Sequence, residues 1–265
     1  MRQRLLPSAG IQRERLRGVP TTMRITSGTA DGAQPKRYRS EIHPRFPHQV
    51  AAVVLQVRAG HLSVLLWKRH RVPQRGAWSL PCGEVDVDEA LDVAALRHLA
   101  AKVDVHDVSH SEQLKTFGAP GRHPLRRLIT TAFLDLVAAD LDPALPDDTR
   151  WHSVAQLPSS AFDHGEIIAA GLARLRAKLS YTNLGFALTP DVFTISELRR
   201  IYSSALGQEV NSTNLQRILE RRGQIVATGM RSPAGRTGGR PAEQFRFVRR
   251  ELVVTDAFAV FRPHE

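Results

Sequence analysis

Residues 83–105 read GEVDVDEALDVAALRHLAAKVDV. Leu91, Ala95, Leu96 and Leu99 recur near helical spacing, which predicts an amphipathic helix. Asp88 is placed to cap its start. The preceding QRGAWSLPCGEV (74–85) carries the Gly and Pro punctuation of a loop. Before that, QVAAVVLQVRAGHLSVLLWKRH (49–70) is two Val- and Leu-rich runs around Ala59-Gly60, which predicts a β-hairpin with largely buried strands. Downstream, LRRLITTAFLDLV (125–137) reads as a further β-branched strand, and 164–180 as a second helix. Strands and helices interleave without a regular βαβ rhythm, so the expected class is α+β or mixed α/β.

SYTNLGFALTPD (180–191) reads as a linker. In the segment after it, Thr194 and Glu197 have the T-x-x-E spacing of a capping box, and Phe193 and Leu198 that of a hydrophobic staple. Leu198, Ile201 and Tyr202 supply one apolar stripe. In NSTNLQRILERRG (211–223), Asn211 or Ser212 can cap, Leu215, Ile218 and Leu219 face inward, and Gly223 ends the helix. QIVATGM and EQFRFVRR then predict strands flanking RSPAGRTGGRPA. Helix, turn, helix and basic hairpin is the pattern of a winged helix-turn-helix.

The 265 residues carry 37 Lys and Arg against 26 Asp and Glu, a net charge of +11. The charge is uneven. Residues 1–46 hold ten basic and three acidic residues, 47–182 hold fifteen of each, and 183–265 hold twelve arginines and eight acids. Eight of those arginines fall in 221–250, beside one glutamate, the kind of field that attracts nucleic acid and phosphorylated ligands. The first 46 residues have few large apolar side chains in any period and read as a basic, disordered arm, with Met23 as an alternative start. One cysteine excludes a disulfide framework and a cysteine-based zinc site. No apolar run nears the ~18 residues of a membrane span, and no hydrophobic stretch of signal-peptide length follows the start, so a cytoplasmic protein without membrane partners is expected.

The 83–105 stretch resembles the Nudix box. Gly83, Glu89, Arg97 and Leu99 fall on matching positions, and WSLPCGEV looks like the lead-in W-x-L-P-G-G with Cys82 at a usual glycine. That box implies hydrolysis with a divalent metal held by glutamates. Here those glutamates are His98, Ala101 and Lys102, so neither catalytic residues nor a metal site are expected. Most of 47–250 is similar to the NrtR family of Nudix-related transcriptional regulators. The likeness is carried by Ala161-Phe162-Asp163-His164, Phe193-Thr194, Glu197-Leu198, Ile201-Tyr202, Asn214-Leu215 and Gly239-Arg240-Pro241-Ala242. It implies an α+β chain: a Nudix-like α/β/α sandwich at 47–182 followed by a winged helix-turn-helix at 183–265. It also implies a homodimeric repressor of NAD synthesis or salvage genes, binding palindromic double-stranded operator DNA, with ADP-ribose as effector and no required cofactor.

For ADP-ribose the expected residues are Arg69, Arg71 and Arg127 around the cleft, Gly83 for its backbone, Phe162 and Trp78 as stacking surfaces, and His164 at a helix start, where the dipole favours anions. Asp163 is the expected cap of that helix. For DNA they are Thr213, Asn214, Gln216, Arg217 and Arg221 on the outer helix face, with Arg236 and Arg240 in the wing. Two rival readings are an active, divergent Nudix hydrolase using Glu84, Asp86 or Asp88, and an interaction module whose basic tail binds protein or RNA.

Overall fold

Strand β1 (His48–Arg58) is buried over eight consecutive residues, because the chain covers it on both faces. Val53, Leu55 and Val57 face one apolar cluster, while Ala52 and Val54 face another. It pairs antiparallel with β2 (His61–Lys68), Leu55 opposite Val64. The turn between them is Ala59-Gly60, both at positive φ (47° and 80°), as a two-residue hairpin that follows the strand twist requires. β1 also pairs in parallel with β6 (Ile129–Leu136). Short strands β3 (Trp78–Ser79) and β4 (Cys82–Glu84), then β5 (His110–Phe117) and β7 (Thr149–Ser153), complete a seven-stranded mixed sheet with the path β3-β2-β1-β6-β5; β4 adds to β1 and β7 to β2.

Helix α1 (Leu91–Val103) covers one face through Ala94, Ala95, Leu99 and Val103. Its start corrects the expected cap: Ala90 stands at the N-cap without a side-chain bond, and Asp88 lies in the loop. Leu96, expected in the buried stripe, is 44% exposed. Helix α2 (His164–Tyr181) covers the other face with Ile167, Ile168 and Leu175.

The stretch expected to be a linker is core. Leu184–Leu188 forms a buried 3-10 helix, and Phe186 is 2% exposed. Beyond it come β8 (Phe193–Thr194), α3 (Ile195–Leu206), α4 (Ser212–Arg221), β9 (Ile225–Arg231) and β10 (Glu243–Phe247), with a three-stranded sheet ordered β8-β10-β9. The capping box on α3 is complete in both directions, and Asn211 accepts the Asn214 amide at the start of α4. One apolar cluster runs from Val53 on β1 through Phe186 to Phe247 on β10.

The chain after β10 returns to the junction. Buried Asn183 donates to the Glu251 carbonyl (2.8 Å) and accepts the Val253 amide (2.7 Å). The structure, a computed structural model, describes residues 45–232 and 241–256. The arm expected at 1–46 lies outside them except for its last two residues. No helix among the described residues is long and apolar enough to cross a membrane.

Candidate ligand cleft and nucleic-acid face

The end of β2, strand β4 and the C-terminal half of α1 line a cleft of about 800 Å³. Glu89 and Arg97 brace one side. Arg97 donates from Nε and Nη2 to the two Glu89 oxygens, each at 2.6 Å. Those hydrogen bonds from Arg97 hold the Glu89 carboxyl well down, at about 2. The pair spans loop and helix and leaves no free oxygen pair for a metal.

The face of α1 toward the cleft carries His98, Ala101 and Lys102. His98 Nε2 lies 2.9 Å from the Glu84 carbonyl. Its ring lies so close to Gly83 that a Cβ there would sit 2.0 Å from Cε1. Lys102 Nζ donates to the Cys82 carbonyl and stands 4.6 Å from the Trp67 ring centroid. These groups do not fit a hard divalent cation, which takes oxygen ligands. Among the described residues no three His, Cys, Asp or Glu side chains are placed to hold a metal. Glu84 and Asp86, carboxylates the hydrolase reading would use, face Arg126 (2.6 Å) and Arg97 (3.3 Å), while Asp88 is exposed in the loop.

Arg69, Arg71 and Gly83 line this cleft. A smaller cavity adjoins it, with Arg69, Arg122, His123, Phe162 and His164 in its wall. Phe162 adopts a positive φ of 53°, uncommon for a bulky residue and a pointer to function. The Arg69 guanidinium is 4.7 Å from its ring centroid, and the His123 ring is 5.0 Å away at 30°. Burial lowers the His123 pKa, and Arg126, Arg69 and Arg122 add to the effect.

His164 is the first residue of α2 and is 3% exposed. Its Nδ1 accepts the Leu80 amide at 3.0 Å and lies 3.2 Å from Ser79 Oγ. An accepting Nδ1 puts the ring proton on Nε2, and burial pulls the pKa down to about 4. The ring is therefore a neutral brace between β3 and α2. Asp163, the expected cap, makes no cap bond. It receives Arg122 Nε (2.9 Å) and Nη2 (2.7 Å) instead, so a carboxylate already occupies this helix start.

Two expected residues stand elsewhere. Trp78 is absent from the lining of both cavities; it packs edge-on against His152 at 4.3 Å. Alternation on β3 turns its neighbour Ser79 toward His164 and sends the indole the other way. Arg127 donates to the Gly118 carbonyl and lies 5.5 Å from the Phe46 ring. Arg122 and Arg126 of the same loop line the cavities in its place. This loop has no periodicity from which to read which of several arginines turns inward. The buried Arg122–Asp163 pair was equally hidden, because its members are 41 residues apart.

On α4, Leu215 and Leu219 are buried and Ile218 half-buried, while Thr213, Asn214, Arg217 and Arg221 are exposed. Arg217 Nη2 donates to Asn214 Oδ1 (2.7 Å), and half-buried Gln216 donates to Glu220 (2.9 Å). Arg236 and Arg240, expected in the wing, lie outside the described residues. Arg250 serves the fold, donating to the Thr189 and Pro190 carbonyls.

Residues 47–171 match the NUDIX domain and 185–247 the NrtR DNA-binding winged helix domain. Over 218 residues the chain is 30% identical to the ADPR responsive transcriptional repressor NtrR of Acinetobacter baylyi, covering 80% of this chain and 86% of that one. The crystal structure of Shewanella oneidensis NrtR is 31% identical and superposes with a TM-score of 0.66 over 76% of this chain and 93% of its own. The same protein complexed with a 27mer DNA gives 31% identity and a TM-score of 0.64 over 75% and 92%. A sensor-type cleft on a Nudix sheet, fused through a buried joint to this winged helix, accords with those matches: the chain belongs to the NrtR family.

Proposed function

We propose that the chain is a DNA-binding transcriptional repressor whose Nudix-like half, 47–182, binds ADP-ribose without hydrolysing it. Its winged half, 183–265, docks on palindromic operator DNA as a homodimer when the effector is absent. The effector loosens the operator. The target genes expected from the family serve NAD synthesis or salvage.

The observation that carries the non-catalytic reading is the face of α1, where His98 and Lys102 are bonded to backbone carbonyls and Ala101 offers no ligand. The cleft supplies Arg69, Arg71 and the backbone around Gly83 for phosphates, and Phe162 for the base. Arg122, His123 and Arg126 join them in place of Arg127 and Trp78. His164 supports the cavity wall. Thr213, Asn214, Arg217 and Arg221 face outward for the major groove, with Gln216 at the edge of that face, since Arg reads guanine and Asn adenine there. The NrtR of Shewanella was solved with DNA, and the Acinetobacter relative is named for its response to ADPR; both support the reading.

The test is a mobility shift on the upstream region of the protein's own gene, with and without ADP-ribose, beside a hydrolysis assay in magnesium or manganese. A specific shift that ADP-ribose reverses, with no turnover, is the expected result. Metal-dependent turnover of ADP-ribose that Glu89→Gln abolishes would overturn it.

A further inference from the structure

The cleft holds more positive charge than its carboxylates neutralise. Glu84 is taken by Arg126 and Asp148 by His70. Among the described residues the Arg69 guanidinium has only the Pro73 carbonyl as hydrogen-bond partner, and the Arg71 guanidinium has none. Lys102 rests on a carbonyl and an aromatic face. A carbonyl and a π-face orient an ammonium but leave its full charge in place, unlike a carboxylate. Three uncompensated cations therefore line one cavity. They make it a site for an anion of more than one charge.

Lys102 differs from the two arginines in being fixed. Its stem lies on α1, its Nζ is anchored at the start of β4, and it is half-buried. Of its three N–H donors, one goes to Cys82 and the indole face takes a second direction, so a donor is left for a ligand. Burial lowers its pKa, and the nearby Arg69 and Arg71 lower it further. An anion between these groups reverses that effect. His98 and Lys102, in turn, deny a divalent ion the carboxylate ligands it needs.

We propose that Lys102 is a built-in cation that takes the phosphate oxygens of a nucleoside diphosphate derivative directly, so that binding in this cleft needs no divalent metal. The proposal rests on the nucleotide reading of the cleft given above.

The experiment is titration calorimetry on the full chain with ADP-ribose, and separately with inorganic pyrophosphate, each in excess EDTA and in excess magnesium. Wild type is expected to bind ADP-ribose with the same affinity in both buffers. Lys102→Met, which keeps the apolar stem, is expected to bind about 10- to 100-fold more weakly in both, the range for a lost charge-assisted hydrogen bond. Its affinity is also expected to fall less steeply with added salt, because one charge has gone. Lys102→Arg is the charge-keeping control and is expected to retain binding in EDTA. Melting temperatures of all three confirm that they fold.

Wild-type binding that EDTA abolishes, or a folded Lys102→Met that binds as tightly as wild type, overturns the proposal and leaves the nucleotide reading intact. Metal-free binding of pyrophosphate that depends on Lys102, without binding of ADP-ribose, upholds it and overturns the effector assignment. Binding of neither probe overturns both.

Discussion

Gly83 is the residue at which a single methyl group has the clearest consequence. Its missing Cβ is the space in which the His98 ring lies, at 2.0 Å. Gly83→Ala must push the imidazole out and break its bond to the Glu84 carbonyl. A loss of about 1–2 kcal/mol in urea denaturation is expected, in the range of overpacking a tight site. Gly83→Ala combined with His98→Ala should lose less than the sum of the two, a coupling that residues in contact show. Additive losses would mean the ring is not what fills the space. Asp135 offers a test with pH. It is fully buried on β6, neither oxygen makes a well-formed hydrogen bond among the described residues, and burial pushes its carboxyl from an ordinary 3.8 up to about 7. Ser111 and His110 are its polar neighbours. The folded state holds this proton more tightly than the unfolded chain, so the group's contribution is intact below pH ~4 and is lost as pH rises through about 7. Asp135→Asn removes the loss. Its stability relative to wild type should improve by on the order of 3 kcal/mol between pH 4 and pH 8. A difference that does not change with pH would contradict this.

At the scale of elements, what the sequence made legible follows from what each element is built on. The β1–β2 hairpin, α2, the α3 capping box and the cap and stripe of α4 rest on local chemistry, and each stands where its residues predict it. β5 is hidden because HSEQLKTF puts only Leu114 into the core, and β7 because Thr149–Ser153 has a single apolar side chain, Trp151, and so no period. The 184–188 helix reads as a linker because Asn, Gly, Thr and Pro surround its apolar residues, although Leu184, Phe186 and Leu188 signal burial. Of the cleft, Arg69, Arg71 and Gly83 are expected from the Nudix resemblance, and they line it. Arg122, His123 and Arg126 are not expected, because a loop imposes no period on its side chains. The 184–188 turn also depends on a glycine. A Cβ on Gly185 would lie 2.3 Å from the Tyr202 hydroxyl oxygen, and Tyr202 is 4% exposed with no room to retreat. Gly185→Ala is expected to cost about 1–3 kcal/mol, read as a lower melting temperature. An unchanged melting temperature would show that the joint is looser than its packing.

Across the whole molecule, the connection between cleft and DNA face is short and stiff. Helix α2 starts at the cavity wall, its Arg174 and Lys178 both pair with Glu112 on β5, and Arg176 Nε donates to the Ala205 carbonyl of α3 (3.3 Å). Ser204 Oγ on α3 donates to the Gly60 carbonyl at the β1–β2 turn (2.7 Å). A shift of α2 would therefore be felt first at α3, which packs against α4. A ligand moves such an equilibrium only as far as it prefers one state over the other, and the coupling is reciprocal. If ADP-ribose weakens operator binding by some factor, operator DNA must weaken ADP-ribose binding by the same factor. Calorimetry on the free protein and on the DNA complex measures it; equal affinities would remove ADP-ribose as the signal. On the DNA side, Arg217→Ala should lower operator affinity by about 1–3 kcal/mol at one base position and leave random duplex less affected. An unchanged ratio of specific to random binding would remove Arg217 from base reading. The buried joint has one more consequence, for how such proteins diversify. A hybrid cut at residue 183 would bare Leu184, Phe186 and Leu188 to water, at roughly 1.5–3 kcal/mol for each side chain, and would sever the clasp of Asn183 on the returning tail. Exchange of whole modules is thus closed to this architecture at its most obvious seam. The exposed side chains of α4 carry no such debt, so a change of operator is reached by point substitution on that one face, with the sensor inherited whole.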